Sequence, residues 1–358
     1  MFKHLLFALA FSFALFADAQ CDGLRFREFT FANTEVTENI VYGNNTKYDG
    51  TSLDLLMDVY QPVNDAMEGR PLVILAHGGF FLYGSKEGPD VITLADDLAR
   101  MGYVTACVNY RLGLAANGNL EASMTESVMR GVQDVKAAVR WFKASAEGTN
   151  EYRIDPNQIY VAGVSAGGYI ALHLAYLDEE AEIPTYVNFE NPGLSGGLEG
   201  ESGTPGFSSD VRGIINLCGA IGDTAWIHPG DEPALLFHGD DDATVPFDSD
   251  MQYLLGSIPV IEVDGSNSIN ERLEELEIPH CFEVHEGFDH VPHVSNSAIY
   301  DTTLSIMSNF LSHFVCDVPL DCQYRQLAVG VNEDELIALD FYPNPSEGLV
   351  RFASRVER

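Results

Sequence analysis

Short β-branched runs alternating with longer helical periodicities set the strongest limit on what this chain can fold into. Residues 71–76, 104–110, 159–164, 213–217, 234–238 and 281–285 are near-continuous apolar runs, the pattern of strands buried on both faces. Between and after them, residues 91–101, 126–146, 166–177, 249–255 and 298–314 carry helical spacing. The alternation predicts an α/β fold, a mostly parallel central sheet with helices on both faces. Upstream, residues 34–42 and 53–60 alternate apolar and polar side chains, which predicts antiparallel strands with one face exposed.

The chain of 358 residues, 46% of them hydrophobic, is long enough for one large core with additions at its ends. The strand and helix pattern fills residues 20–325, and it breaks at 178–210, where Gly, Pro, Ser and Glu replace it, as in a lid-like insertion. With 54 Asp+Glu against 19 Lys+Arg the formal net charge is -35. Such a field repels polyanions, so nucleic acid and anionic membrane surfaces are excluded as partners.

Met1-Phe2-Lys3-His4 is basic and leads into the apolar run 5–16, after which Ala17-Asp18-Ala19 has cleavage-site spacing. Residues 1–19 therefore read as a signal peptide, and the chain as secreted or held at the cell surface. No other segment has the length and hydrophobicity of a membrane span. Six cysteines in an exported chain can form bridges, and Cys316 and Cys322 are close enough for a local loop. Cys107 and Cys218 lie in strand-like runs, where a thiol acts as a small hydrophobe. Neither CxxC nor HExxH is present, so no metal or redox motif is signalled.

Four segments carry chemistry. Gly163-Val164-Ser165-Ala166-Gly167 fits the G-x-S-x-G elbow, in which a serine sits on a tight strand-to-helix turn. Gly193-Leu194-Ser195-Gly196-Gly197 fits it too, but lacks the strand before and the helix after, so the nucleophile is assigned to Ser165. His77-Gly78-Gly79-Phe80 follows a strand, where the N–H groups of Gly79 and Phe80, with that of Ala166, are suited to an oxyanion. His77 is read as a loop organiser.

His238-Gly239-Asp240-Asp241-Asp242 offers three carboxylates to orient a histidine. The pattern G-x-x-D-x-x-V-P resembles the acid turn of many hydrolases, and that resemblance points to Asp242 over Asp240 and Asp241, with a calcium loop as the alternative use of the cluster. Glu286-Gly287-Phe288-Asp289-His290 places His290 after a glycine in a loop downstream of the acid turn, and His285 and His293 are its competitors. The order Ser165, Asp242, His290 differs from that of chymotrypsin-like and subtilisin-like proteases.

Across residues 53–314 these segments, with Val108-Asn109-Tyr110-Arg111-Leu112, resemble the secreted carboxylesterases of the α/β-hydrolase fold, near the hormone-sensitive-lipase-like and bacterial feruloyl or acetyl-xylan esterases. Phe80 stands where a third glycine is common in that group, and the acid turn departs from the D-P-x-x-D of hormone-sensitive-lipase relatives. The resemblance implies a catalytic domain over 20–325 and a serine esterase working through an acyl-enzyme without cofactor or metal. Phe81 and Tyr83 would contact substrate, an acetyl or feruloyl ester of a polysaccharide. A serine peptidase of the same fold and a catalytically inactive binding module are the alternatives.

Residues 326–358 include Tyr342-Pro343-Asn344-Pro345-Ser346-Glu347-Gly348, which resembles the opening of the C-terminal sorting domain that many Bacteroidetes attach to exported proteins. That resemblance implies a linker and partial sorting segment in contact with export machinery.

Overall fold

The computed structural model describes residues 21–328, apart from 117 and 255. The signal-peptide reading and the Tyr342 to Gly348 motif therefore lie outside the described residues. Along the chain run β1 (Thr34–Thr46), β2 (Ser52–Pro62), β3 (Arg70–Ala76), α1 (Pro89–Arg100), β4 (Val104–Val108), α2 (Leu120–Glu147), β5 (Ile154–Val164) and α3 (Ala166–Tyr176). They are followed by β6 (Gly213–Leu217), β7 (Ala234–Gly239), β8 (Ser249–Leu254), β9 (Ile258–Asp264), α4 (Ser266–Glu275), β10 (His280–His285) and α5 (Ser297–Cys316).

Among the described residues, eight strands form one sheet in the order β1-β2-β4-β3-β5-β6-β7-β10. The β1–β2 and β2–β4 pairs are antiparallel and the rest are parallel. Every residue of β3, β4 and β6 is buried, which is why these strands read as near-continuous apolar runs. Alternation appears only in where the side chains go. Leu72, Ile74 and Ala76 enter the core beneath α2 and α3, while Val73 and Leu75 enter the one beneath α1 and α5. Asparagine caps start two of these helices: Asn119 accepts from the Ala122 N–H of α2, and Asn296 from Ala298 and Ile299 of α5.

Two expectations fail. Residues 249–255, read as a helix, contain β8, which pairs antiparallel with β9 to make a separate two-stranded sheet. The apolar spacing of Met251, Leu254 and Leu255 mimics a helical face. It is overridden by β-branched Ile258, Val260, Ile261 and Val263 across a short turn carrying Gly256 at φ 69°. The local Cys316–Cys322 loop is also absent. Cys21 is bridged to Cys316 and Cys281 to Cys322, because α5 ends with Cys316 against the N-terminal segment while Cys322 passes β10. Cys107 and Cys218 are free and buried, as read from their strand context.

The 178–210 segment is tied to α2 by buried cations. Arg111, itself paired to Asp134 at 2.8 Å, donates to the Gly193 carbonyl, Arg130 donates to the Pro192 carbonyl at 3.0 Å, and Lys136 and Arg140 both reach Glu199 at 2.8 Å. No helix among the described residues is long and apolar enough to cross a membrane.

Candidate active site

The site lies at the carboxyl ends of the parallel strands. Ser165 joins β5 to α3 at φ 54°, a conformation costly for a residue with a Cβ. The turn is tight enough to demand its glycines. A Cβ on Gly163 would sit 1.9 Å from the Gly167 carbonyl oxygen, and one on Gly167 2.0 Å from that of Ala76. Such packing holds Ser165 at 7% exposure with its N–H donating to the Leu217 carbonyl at 2.8 Å.

From the elbow runs a continuous hydrogen-bonded chain. Ser165 Oγ is 2.8 Å from His290 Nε2, and His290 Nδ1 is 2.7 Å from Asp242 Oδ2. The other Asp242 oxygen accepts from the N–H groups of Thr244 and Val245 at 2.8 and 2.9 Å. Burial pushes the Asp242 carboxyl up, but hydrogen bonds from His238 and His290 and the His290 charge outweigh it, holding the group well below the usual carboxylate range.

Neighbouring candidates have other partners. Asp240 accepts from the Gly287 N–H, and Asp241 is exposed. His285 and His293 are buried, and burial lowers them to about 4 and about 3, respectively. His77 stacks on Tyr110 at 4.4 Å, and its Nδ1 lies 2.6 Å from the Gly78 carbonyl oxygen, which suits a loop organiser. Ser195 is exposed, although Gly193 and Leu194 beside it are buried, and it has no hydrogen bond to a histidine among the described residues. Cys218, Asp242 and His290 bring potential ligand atoms within 4.8 Å of one another. Burial pushes the Cys218 thiol up to about 12, however, which opposes a thiolate there.

Across from the serine, Gly79, Phe80 and Phe81 have φ of 120°, 55° and 58°, a run of left-handed residues that turns the loop back sharply. Gly78 N–H is taken by Asp90 at 2.7 Å, whereas those of Gly79, Phe80 and Ala166 have no acceptor among the described residues.

Beside Ser165 opens a cavity of about 180 Å³. Phe80 and Phe81 line it, but Tyr83 does not: it is 64% exposed, its N–H donating to the Gly79 carbonyl at 3.1 Å. Most of the wall comes from residues that motif reading passed over, including Met124 and Val128 of α2, Tyr169 and His173 of α3, Trp226, and Ile261 and Val263 of β9. Their signal was the apolar i, i+4 spacing on α2 and the β-branched run of β9, neither of which says that a surface faces a cavity.

Solved structures decide the architecture. A thermophilic esterase of Thermogutta terrifontis, Est2, with propionate bound, superposes with a TM-score of 0.54 at 21% identity, covering 79% of this chain and 95% of that one. The chain has the α/β-hydrolase fold. Residues 57–199 match the BD-FAE family model. Among curated proteins, the chain is 26% identical over 250 residues to isoprenylcysteine alpha-carbonyl methylesterase of Arabidopsis thaliana, covering 61% of the chain and 51% of that protein. It is 32% identical over 152 residues to fumonisin B1 esterase of Sphingopyxis macrogoltabida, covering 41% of the chain and 26% of that enzyme. The chain thus spans about half the length of the first of these relatives and a quarter of the second.

Proposed function

We propose that this protein is a serine carboxylic-ester hydrolase. The observation that carries the reading is the unbroken path from Ser165 Oγ through His290 to Asp242, opening beside an apolar cavity. Ser165 Oγ attacks the ester carbonyl carbon as His290 Nε2 takes its proton, and Asp242 keeps Nδ1 protonated and stabilises the imidazolium. The N–H groups of Gly79, Phe80 and Ala166 receive the oxyanion. Collapse breaks the bond to the alkoxy oxygen, which leaves with the proton from His290. Water, deprotonated by the same imidazole, then releases the acid and regenerates Ser165.

For the acyl group, feruloyl esters of polysaccharide suit the site better than acetyl esters. An apolar cavity of about 150 Å³ accommodates benzene in an engineered protein, and the one beside Ser165 measures about 180 Å³. An acetyl group would leave most of it unfilled. The ester relatives, one a methylesterase and the other a fumonisin esterase, support ester over amide cleavage.

We also propose that the protein works outside the cytoplasm, delivered through residues 1–19 and handed to export machinery through the C-terminal segment. The two disulfides support an oxidising compartment.

A panel of p-nitrophenyl acyl esters, methyl ferulate, acetylated xylan and aminoacyl anilides tests the activity. Hydrolysis of the esters, with aromatic acyl groups ahead of acetyl, is expected. Faster cleavage of anilides would instead make it a peptidase, and no turnover of any member an inactive binding module.

A further inference from the structure

The cavity floor is one face of α3. Ala166, Tyr169, His173 and Leu177 follow one another at spacings of three and four residues and all line the cavity, so the helix carries it away from Ser165. Most groups along this path are apolar or already bonded. Tyr169 OH donates to Gln252 at 2.8 Å, and Met124, Val128, Ile261 and Val263 are further lining residues.

His173 is different. It is 7% exposed, and its ring lies 6.2 Å from that of Tyr169 and 5.7 Å from that of Trp226. Nδ1 is 2.7 Å from the Tyr169 carbonyl oxygen on its own helix and must donate to it. That bond fixes the tautomer, so the opposite edge of the ring presents Nε2 as a lone-pair acceptor with no partner among the described residues. Burial lowers the imidazole to about 4, so it is neutral near neutral pH and remains an acceptor.

We infer that His173 is a specificity-determining residue, whose Nε2 accepts a hydrogen bond from a hydroxyl at the far end of an aromatic arm of the ester, with the body of that arm in the apolar cavity. The inference rests on the esterase reading for which end of the cavity holds the reacting carbonyl. Eight residues separate Ser165 from His173, about 12 Å along the helix axis. Subtracting a hydrogen bond of about 2.8 Å leaves roughly 9 Å between carbonyl and hydroxyl, the reach of a phenyl ring on a two- or three-carbon spacer. A shorter aryl ester would fall short of Nε2, and an arm without the hydroxyl would strip water from the imidazole and give nothing back.

Calorimetric titration of the Ser165→Ala protein with the methyl esters of p-hydroxyphenylpropanoate and phenylpropanoate reads the inference without requiring turnover. The hydroxylated ester should bind about tenfold more tightly, the effect of one buried neutral hydrogen bond. Adding His173→Phe, which keeps a ring between Tyr169 and Trp226 but removes the acceptor, should bring the ratio to about one. Adding His173→Gln instead, which retains an acceptor, should preserve part of the preference and guards against misfolding of the phenylalanine variant. Equal affinities for the two esters with His173 present, a preference unchanged by His173→Phe, or no binding of either ester would overturn the inference. If the preference is found in Ser165→Ala while the unaltered protein hydrolyses no ester, the His173 subsite stands and the esterase reading falls.

Discussion

His238 Nε2 lies 3.2 Å from Asp242 Oδ2, the same oxygen that meets His290 Nδ1 at 2.7 Å, so one carboxylate serves two imidazoles. His238 is fully buried, and its Nδ1 is 2.7 Å from Ser266 Oγ at the start of α4. His238, held in turn by Ser266, thus gives the carboxylate a second imidazole partner besides His290. Replacing His238 with Phe should therefore lower kcat by roughly 10- to 100-fold, the range for losing a hydrogen bond to a buried charge. Steady-state hydrolysis of p-nitrophenyl butyrate measures it, and an unchanged kcat in a folded variant would contradict the role.

The acidic turn makes a sharper comparison, because its three adjacent carboxylates differ in surroundings: Asp242 meets His290, Asp240 accepts from the Gly287 N–H, and Asp241 is exposed. Asp242→Asn should reduce kcat by on the order of 10⁴, the loss seen when a triad aspartate is replaced and the histidine tautomer is lost. Asp240→Asn and Asp241→Asn should cost less than about tenfold, since neither carboxylate meets His290 and exposed polar contacts contribute little. Comparable losses at all three positions, reversed by added calcium, would favour a metal loop.

How much of this was legible depended on whether the constraint was local. The Ser165 elbow is written in consecutive residues, because the close approach of Gly163 and Gly167 admits no side chain. The buried strands β3, β4 and β6 announce themselves by near-continuous hydrophobicity, broken only by Arg70, Thr105 and Asn216. Long-range pairing has no such local signature: the second histidine on Asp242, the Cys21–Cys316 bridge and the part of the cavity wall built by β9 all depend on segments brought together by the fold. β8 shows the reverse failure, a local pattern overruled by its partner strand.

Acid sensitivity follows from three buried histidines. Burial lowers His173 and His285 to about 4 and His293 to about 3, against an ordinary value of 6.5. The unfolded chain takes up these protons first, so the stability held by neutral imidazoles is complete above about pH 6.5 and falls as the pH drops toward 4. Each group adds up to about 1.4 kcal/mol per pH unit in that window. Urea unfolding at pH 7, 6 and 5 should show a steep loss, made shallower by His285→Asn; a pH-independent stability there would refute the account.

The two disulfides should matter most to the ends of the domain. Cys21–Cys316 closes a separation of 295 residues and Cys281–Cys322 one of 41, each expected to contribute about 2–4 kcal/mol. Thermal unfolding with and without reductant should show a clear drop in midpoint, and thiol titration of the unreduced, denatured domain should find only Cys107 and Cys218. Four additional reactive thiols with no change in midpoint would contradict the pairing.

The central claim, that Ser165 is the nucleophile, is tested most directly by treating the folded protein with a fluorophosphonate and mapping the adduct by peptide mass spectrometry. A single stoichiometric adduct on Ser165 is expected, absent in Ser165→Ala and retained in Ser195→Ala. An adduct on Ser195, or labelling that survives Ser165→Ala, would contradict it.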